Sequence, residues 1–444
     1  MKTTLGIDLG TTKVAAVLLR EDHTTSAVAS MAHEAALSAE PGGAEQNVEK
    51  IFDCVAALLA RLPAAELQNL SAIGVTGQMH SVLLGGPQGI TPLITWQDHR
   101  CGEERLRRFH QRSGLTLREG FGGATLARLA EARKLDDCTF AAPLADYLVA
   151  RLTGSSRILS DPTHAASWGL YDAAAGEWNF AAAEALGIPR TLLPELRPCG
   201  SAAGNVSPEA AGRFGLKAGT PVIVAIGDNQ ASILSSGENP EEKLHLTLGT
   251  GAQLSLVTDN PPEQCSERIE ARPFPGGRTL LVAAPLCGGA AFAWLADTVN
   301  NFRRDLGEPE LPRGELLDHL DALALAQLEA GEPELTVAPN FLGERWNPAL
   351  RGEVSGLSLV NTTPGALGAA LALGIVRNLK EGFPPELLKG RREVSGTGNA
   401  VRLLKSIQHA IRREFRLPLT LPETREEAAV GAALLALRHC VAQF

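Results

Sequence analysis

The sequence predicts an α/β protein made of two similar domains, and three observations lead to that prediction. The chain has 444 residues, which exceeds the size at which a single core usually keeps growing. A strand-like run that ends in a Gly-Thr turn occurs at residues 5–12 and returns in altered form at residues 246–252. Several further apolar runs end in polar loops, as strands of an open α/β sheet do at a ligand site. We therefore predict domains at residues 1–237 and 238–444.

The first half predicts a sheet whose strands alternate with helices. Its strands are short apolar runs, and its helices repeat apolar residues at helical spacing. The predicted elements, in order, are a hairpin at residues 3–19, a helix at 48–62, strands at 70–75 and 93–95, mainly helix over 125–153 with a break near Pro143, a polar turn at 160–170, and a strand at 221–226 followed by a helix of small residues.

The second half restarts the pattern after Gly237-Glu238-Asn239-Pro240, which is why the boundary is placed there. No tandem repeat of solenoid length interrupts it. The predicted elements are strands at residues 245–257 and 279–285, a helix from Gly289, a polar stretch at 306–314, a loop at 339–350, a helix at 364–380, a strand leading into residues 395–399, and helices to the end.

The composition is that of an ordinary globular protein, with 44% hydrophobic and 20% charged residues. A net charge of −9 argues against a nucleic-acid partner, because Lys and Arg are not in excess. The seven cysteines are scattered and never form a C-x-x-C pair, which favours reduced thiols over a disulfide framework or a zinc site. A strand predicted directly after Met1 leaves no room for a signal peptide, and no apolar run approaches a membrane span. We therefore predict a cytoplasmic protein without a membrane partner.

The first Gly-Thr turn has the features of a phosphate-binding site. Glycine lets a phosphate approach the backbone closely, and backbone N–H groups with hydroxyls can converge on it. A carboxylate beside bound phosphates requires a cation, for which Mg²⁺ is the candidate. An Asp-containing turn without a ligand is the alternative, and the repeat at residues 249–252 favours phosphate. No G-x-x-x-x-G-K-[ST] segment occurs, which excludes the P-loop architecture. The predicted residues are Asp8 for Mg²⁺ and Gly10, Thr11, Thr12 and Lys13 for the nucleotide, although Lys13 could simply face solvent.

Asp228, in the segment Gly227-Asp228-Asn229-Gln230, is the candidate for the reacting group. An aspartate between a buried strand and a helix can be held rigidly at a ligand site. Phosphoryl transfer needs positioning, charge neutralisation and a carboxylate that accepts the proton of the attacking hydroxyl. A general base of this kind typically contributes about 10²–10⁴-fold in rate. The structural alternative makes Asp228 the N-cap of the following helix, and the two roles are compatible.

Two polar clusters that follow strands of the first half predict a polyol-binding site. A sugar needs hydrogen-bonding groups for its hydroxyls and an apolar plane for its C–H face, and a tryptophan supplies such a plane. The structural alternatives are a His and a Trp that fill gaps, a surface ion pair, and a plain Asp-Pro turn. The candidate residues are Gln78, Met79 and His80, then Trp96, Asp98 and Arg100, and finally Asp161.

Taken in order, several phrases resemble the FGGY family of carbohydrate kinases over nearly the whole chain. They are G-I-D-L-G-T-T, T-G-Q-M-H, W-Q-D-H-R, G-D-N-Q-A, L-G-T-G-A, G-T-G-N-A and A-A-V-G-A-A. Within that family the segments at residues 93–101, 121–125, 160–169 and 341–345 are most similar to sedoheptulokinases. The resemblance implies two actin-like (ribonuclease-H-like) ATPase domains with the active site in the cleft between them.

The resemblance also implies roles for particular residues. Asp228 would be the general base and would share Mg²⁺ with Asp8, while the polar clusters would face the sugar. The first domain would thus bind the sugar and carry the catalytic Asp, and the second would carry the adenosine site. The remaining nucleotide contacts would come from Gly249, Thr250 and Gly251 at the phosphates and from Gly396, Thr397, Gly398 and Asn399 at the adenosine.

From this resemblance we expect ATP- and Mg²⁺-dependent phosphorylation of a terminal primary hydroxyl of a ketose. Sedoheptulose, giving sedoheptulose 7-phosphate, is the first expectation, and D-xylulose or another pentulose or polyol is the second. The family's helix signature near residues 121–133 usually carries a Lys and a Trp, whereas residues 127–130 here are Ala-Arg-Leu-Ala, which affects the substrate more than the reaction. A non-catalytic nucleotide- and sugar-binding sensor is the alternative of another class. A homodimer is compatible with the resemblance, but no sequence signature indicates one.

Overall fold

The computed structural model of the chain describes residues 2–237, 239–331, 333–422 and 426–442. It divides into two compact units, the first comprising Met1–Gly237, Pro273–Gly276 and Thr424–Phe444, and the second Glu238–Arg272 and Gly277–Glu423. Glu238, at the predicted boundary, lies outside the described residues. The last helix, Glu427–Ala442, belongs to the first unit, whereas the sequence prediction had placed it in the second domain.

A seven-stranded sheet forms the centre of the first unit. The strands Thr3–Leu9 and Lys13–Arg20 form the antiparallel hairpin around the Gly-Thr turn. Thr3–Leu9 and Ile226–Gly227 each pair in parallel with Ala72–Gly77, so the carboxyl ends of these three strands meet at one edge. The spatial order is Ala202–Asn205, Pro221–Ile223, Ala72–Gly77, Thr3–Leu9, Lys13–Arg20 and Thr25–Ala32, with Ile226–Gly227 attached to Ala72–Gly77.

Helices cover both faces of this sheet, which explains why its strands are almost continuously apolar. Val14, Ala16 and Leu18 belong to one core, together with residues of helix Val48–Leu59. Their neighbours on the strand, including Ala15 and Val17, point to the opposite face and pack on the last helix. This alternation is the period of two that a strand imposes.

Glycines of two central strands let the last helix approach the sheet closely. A Cβ added at Gly6 would lie 1.9 Å from the carbonyl oxygen of Ala429, and one at Gly74 would lie 2.1 Å from that of Ala432. Real Cβ atoms do not approach oxygen so closely, so only glycine fits there. The same close packing recurs where Gly431 would meet the carbonyl oxygen of Ala231, on the helix that begins at Asp228.

The other elements of the first unit are short strands and helices. The stretch predicted to be mainly helical over residues 125–153 contains two helices separated by residues 132–143, and the strand Phe140–Ala142 lies in that gap directly before Pro143. The polar turn predicted at residues 160–170 was wrong, because a short helix lies there. The helices are Val48–Leu59, Ala64–Leu67, Glu103–Ser113, Gly122–Glu131, Leu144–Thr153, Pro162–Ser167, Phe180–Ala185, Pro208–Phe214 and Asp228–Leu234, with a 3₁₀ turn at Arg190–Leu192. The small sheets pair Leu83–Gly86 with Gly89–Ile90 and Phe140–Ala142, Glu45–Gln46 with Ala36–Leu37 and Leu93–Ile94, Leu159–Ser160 with Glu195–Leu196, and Tyr171–Asp172 with Glu177–Trp178.

The second unit is a six-stranded sheet with its own helices and core. The sequence prediction missed helix Arg313–Ala330, which begins inside the predicted polar stretch. Its buried residues Leu316, Leu320, Ala324 and Leu328 recur every four positions and pack into the core. The strand order in the sheet is Ile269–Phe274, Arg278–Ala283, Ala252–Thr258, Lys243–Leu248, Glu393–Thr397 and Leu419–Thr420. The helices are Gly289–Asp305, Arg313–Ala330, Pro364–Glu381, Pro385–Leu388, Asn399–Leu403 and Lys405–Phe415. A separate pair of strands joins Thr336–Ala338 to Glu353–Ser355, and Pro240–Glu242 is a 3₁₀ turn.

Candidate active site

Three predicted site residues lie at one edge of the first unit's sheet. The strand register places Asp8 opposite Thr76, and Gly77 opposite both Leu9 and Gly227. Gln78 and Asp228 are the next residues along their strands, so Asp8, Gln78 and Asp228 lie on neighbouring strand ends. We call these three residues the strand-edge site.

Asp228 is the first residue of helix Asp228–Leu234, and the N-cap position is occupied by Gly227. The alternative that made Asp228 the N-cap is therefore wrong. The Asp228 carboxylate is partly exposed, and its Oδ1 accepts a hydrogen bond from the backbone N–H of Asn229 at 2.7 Å. An anionic group in the first turn of a helix also interacts favourably with the helix dipole.

The electrostatics of Asp8 fit a cation at the strand-edge site. Burial, the Asp228 carboxylate and Glu426 raise the pKa of Asp8 to about 8, although Lys13 opposes them. Oδ1 of Asp8 is buried and has no hydrogen-bond partner among the described residues. An unsatisfied carboxylate oxygen beside a second carboxylate is what Mg²⁺ would neutralise. Mg²⁺ is usually bound through one or two carboxylates and its own waters, and Asp8 and Asp228 would supply those carboxylates here.

The first Gly-Thr turn is held in place by contacts of His33 and Gln46 with its backbone carbonyl oxygens. His33 Nε2 lies 3.2 Å from the carbonyl oxygen of Gly10, and the backbone N–H of His33 donates to that of Thr12 at 3.2 Å. Gln46 Nε2 donates to the carbonyl oxygen of Thr11 at 2.7 Å. The ammonium of Lys13, which is predicted to bind nucleotide, lies 2.7 Å from each carboxylate oxygen of Glu426.

The cluster Gln78-Met79-His80 lies against the strand-edge site and is held by local contacts. Gln78 is buried, and its Nε2 donates to Gln46 Oε1 at 3.0 Å. Met79 packs on Gly227, the residue before Asp228. His80 has a positive φ of 69°, lies with Nδ1 at 2.6 Å from the carbonyl oxygen of Ser167, and stacks on Phe121.

The second cluster combines a buried ion pair with an exposed tryptophan. Arg100 lies 2.5 Å from Asp98 and 2.8 Å from Glu45, so the predicted sugar ligands Asp98 and Arg100 bind each other rather than standing free. The surface ion pair considered as the alternative is buried instead, since the Asp98 side chain is only 3% exposed. Trp96 is 46% exposed, as an apolar platform requires, and its indole Nε1–H donates to Thr11 Oγ1 at 2.9 Å.

Asp161 belongs to a buried network that sequence reasoning missed. It is the N-cap of helix Pro162–Ser167, where its Oδ1 accepts from the backbone N–H of His164 at 3.1 Å. His164 Nδ1 lies 3.0 Å from Asp146 Oδ1. Burial opposes a charge on His164, but Asp146, Asp161 and Asp228 outweigh it and raise the pKa of His164 to about 9. Thr163 Oγ1 donates to Asp161 and accepts from the backbone N–H of Gly227 at 2.8 Å, which joins the network to the strand-edge site.

In the second unit, the second Gly-Thr turn packs on the start of a long helix. The backbone N–H groups of Gly288 and Gly289 donate to the carbonyl oxygens of Thr250 and Gly249 at 3.0 and 2.8 Å. A Cβ at Gly289 would lie 2.5 Å from the Gly249 oxygen, whereas one at Gly249 would meet open space. The turn therefore packs against the N-terminus of helix Gly289–Asp305 and accepts hydrogen bonds from its first N–H groups.

A cavity of about 1040 Å³ joins this turn to Asn399, one of the predicted adenosine residues. Gly249, Thr250 and Asn399 line it, together with the aromatic ring of Trp294. Gly251, Gly396, Thr397 and Gly398 do not line the cavity but shape its surroundings: Gly396 and Thr397 end the strand Glu393–Thr397, and Gly398 has a φ of 87° and packs on the Leu248 carbonyl.

The comparisons with known proteins identify the family. Residues 3–235 match the family model described as the N-terminal domain of the FGGY family of carbohydrate kinases. The chain belongs to the FGGY family of carbohydrate kinases. Sedoheptulokinase from Homo sapiens is 34% identical, with 98% of this chain and 97% of the relative covered. The crystal structure of xylulose kinase from Rhodospirillum rubrum superimposes with a TM-score of 0.84 at 26% identity, covering 98% of this chain and 89% of that one.

Sedoheptulokinase from Mus musculus is 32% identical over 99% of this chain and 98% of the relative. The predicted family and the predicted actin-like α/β fold are therefore confirmed, and the protein is a carbohydrate kinase. Carbohydrate kinases of this family imply ATP as the phosphoryl donor. Among residues 2–237, 239–331, 333–422 and 426–442, no helix is long and apolar enough to cross a membrane. The roles of individual residues remain predictions.

Proposed function

We propose that this FGGY kinase transfers the γ-phosphoryl group of ATP to the terminal primary hydroxyl of sedoheptulose, giving sedoheptulose 7-phosphate. The register at the strand-edge site is the observation that carries this proposal. It supports placing a carboxylate base, Asp228, at the end of the strand on one side of Gln78, with the carboxylate of Asp8 on the strand on the other side. Two relatives named sedoheptulokinase, 34% and 32% identical over nearly the full length, support the choice of sugar.

Asp228 is the general base in the proposed reaction. Its carboxylate accepts the proton of the primary hydroxyl while that oxygen attacks the γ-phosphorus, and the bond between that phosphorus and the bridging oxygen of ADP breaks. The carboxylate is partly exposed and its Oδ1 already accepts the N–H of Asn229, so the group is oriented before substrate binds. The pre-oriented base reduces the reorganisation that the reaction needs.

Asp8 has a different role, which follows from its raised pKa. Mg²⁺, when bound, would neutralise charge on the phosphates and on Asp8 and Asp228 together. Without a cation, Asp8 at pH 7 is largely protonated, because its pKa is about 8.

Sugar recognition is assigned to residues of the first unit. The exposed face of Trp96 provides the apolar plane, and His80 provides polar contact next to Met79 and Gln78. Asp98 and Arg100 support the Trp96 loop through the ion pair between them. A sugar hydroxyl that binds there would have to share the charged atoms of this pair. Asp161 is fully buried, and we assign it to positioning the strand end through Thr163.

The nucleotide contacts are assigned within each unit separately. In the first unit, Gly10, Thr11 and Thr12 carry exposed or partly exposed atoms at the turn and are proposed to bind phosphate. In the second unit, Gly249, Thr250 and Asn399 line a cavity whose volume suits a nucleoside, with Trp294 as an aromatic wall. Lys13 would reach a phosphate only by leaving Glu426.

Steady-state turnover across a sugar panel tests this proposal. ADP release with Mg·ATP is measured with sedoheptulose, D-xylulose, D-ribulose, L-ribulose and glycerol. We expect the highest kcat/KM with sedoheptulose. D-Xylulose is the second candidate, because a xylulose kinase structure is similar over 98% of the chain. A higher kcat/KM on D-xylulose would overturn the substrate, and ADP binding without turnover on any sugar would favour the sensor.

A further inference from the structure

Trp96 stands on a loop whose backbone is fixed from several sides. The N–H of Thr95 donates to the carbonyl oxygen of Ala44 at 3.0 Å, and the N–H of Ala44 donates to Asp98 at 3.2 Å. The carbonyl oxygen of Trp96 lies where a Cβ at Gly120 would approach within 2.0 Å. Thr95 and Asp98 are buried on either side of the exposed indole. The indole therefore projects from a rigid base, and the freedom left to it is that of its own side-chain torsions.

The indole is tied to the phosphate-binding turn. Its Nε1–H donates to Thr11 Oγ1 at 2.9 Å. A second route reaches the same residue, because Gln78 Nε2 donates to Gln46 Oε1 at 3.0 Å and Gln46 Nε2 donates to the Thr11 carbonyl at 2.7 Å. Trp96 thus holds the side chain of Thr11, and Gln78 reaches the Thr11 backbone only through Gln46.

We propose that Trp96 is a positioning residue that couples sugar binding to phosphate binding through Thr11. A sugar that packs on the indole face restricts the ring, and the hydrogen bond passes this restriction to the Thr11 hydroxyl. The proposal rests on the proposed function, because it takes Trp96 as the sugar's apolar plane. Binding linkage is reciprocal, so phosphate held at the turn strengthens sugar binding by the same factor.

The size of the coupling follows from the chemistry of the contact. A neutral hydrogen bond contributes modestly because water competes for both partners, which corresponds to a change in an equilibrium constant of about 2- to 10-fold. Trp96 is 46% exposed, so water does compete here. The ligand that binds first, sugar or nucleotide, restricts the indole, and the second ligand then does not lose that conformational freedom again. This entropic effect also makes the coupling more favourable.

Replacing each partner of the hydrogen bond separates its two ends. Trp96→Phe keeps an aromatic plane and removes the donor, and Thr11→Val keeps the side-chain shape and removes the acceptor. Calorimetry on the full chain with Mg²⁺ gives the affinity for ADP with and without saturating sugar, which avoids turnover. We expect Trp96→Phe to weaken ADP binding about 2- to 10-fold and to reduce the sugar-induced gain in ADP affinity by a similar factor. When Thr11→Val is already present, adding Trp96→Phe should change neither quantity further.

A matched control and two contrary outcomes make the test decisive. Trp346→Phe, at a partly exposed tryptophan of the second unit, should leave ADP binding and coupling unchanged. An equal effect of Trp96→Phe with and without the Thr11 hydroxyl would overturn the proposal, as would unchanged ADP binding and coupling in Trp96→Phe. If no sugar of the panel binds, the proposed function fails, while the double-variant comparison with ADP alone still decides the role of the hydrogen bond.

Discussion

The buried histidine beneath the strand-edge site predicts a pH-dependent stability that one substitution removes. His164 is 1% exposed, its Nδ1 lies 3.0 Å from Asp146, and its pKa is raised to about 9 against 6.5 for an ordinary histidine. A raised folded-state pKa stabilises the fold below the unfolded pKa, and this contribution is lost as pH rises through the folded pKa. The window is therefore pH 6.5–9. Because one pKa unit corresponds to about 1.36 kcal/mol, the contribution is on the order of 3 kcal/mol.

Urea unfolding of the wild type and of His164→Asn at pH 6.0 and pH 9.5 measures this contribution. Tryptophan fluorescence is a suitable signal, because Trp168 is fully buried in the same unit. Asn can still donate to Asp146 but cannot titrate. At each pH we take the free energy of unfolding of the wild type minus that of the variant. We expect this difference to be about 3 kcal/mol larger at pH 6.0 than at pH 9.5.

The matched control is His245→Asn. His245 is also buried, but burial lowers its pKa to about 4, so it stays neutral throughout the window. Because only the unfolded chain gains a proton on this histidine as pH falls to 6.0, its wild-type-minus-variant difference should fall by about 1 kcal/mol from pH 9.5 to pH 6.0, which is the opposite direction to that expected for His164. A pH-independent difference for His164→Asn would show that His164 is neutral in the fold, and would refute the argument that Asp146, Asp161 and Asp228 hold its charge.

Two further predictions concern the nucleotide residues. Asp8→Asn should raise the Mg²⁺ concentration for half-maximal activity by about 10- to 100-fold, since a contact to a charged group is lost, and an unchanged Mg²⁺ titration would remove Asp8 from the cation site. Gly289→Ala should lower the free energy of unfolding by about 1–3 kcal/mol, because its Cβ would meet the Gly249 oxygen at 2.5 Å, whereas Gly249→Ala, with open space around its Cβ, should leave stability unchanged in the same thermal scan. Equal loss in both glycine variants would contradict the packing argument.

The strand ends were predictable because their signals are local. An apolar run, then glycine and a polar residue, marks Gln78 and Asp228, and Asp8 stands out as a carboxylate inside an apolar run that ends in the Gly-Thr turn. None of this needs knowledge of the fold, and the structure puts these three residues on neighbouring strands. The missed helix Arg313–Ala330 has a regular apolar spacing, but it begins directly after Pro312 in a stretch rich in charged residues. The polar turn predicted around Asp161 was also wrong, because Asp-Pro equally marks an N-cap followed by the first helical residue.

The buried network was not predictable, because it depends on residues that are distant in sequence. Asp146 and His164 lie on separate helices, and only the packed fold brings their side chains together. The placement of the last helix in the first unit depends on Gly6 and Gly74, whose glycine identity shows its meaning only once Ala429 and Ala432 lie against them. Local sequence patterns contain no information on such pairings.

The measurement that tests the central claim most directly compares Asp228→Asn with the wild type in two assays. Asn keeps the shape of the side chain and cannot accept the hydroxyl proton. Phosphoryl transfer to sedoheptulose should fall by about 10²–10⁴-fold in kcat, while the affinity for ADP measured by calorimetry stays within about 3-fold. If the variant retains the wild-type kcat on a sugar that the wild type phosphorylates, Asp228 is not the base. That result would contradict the mechanism built on the strand-edge site.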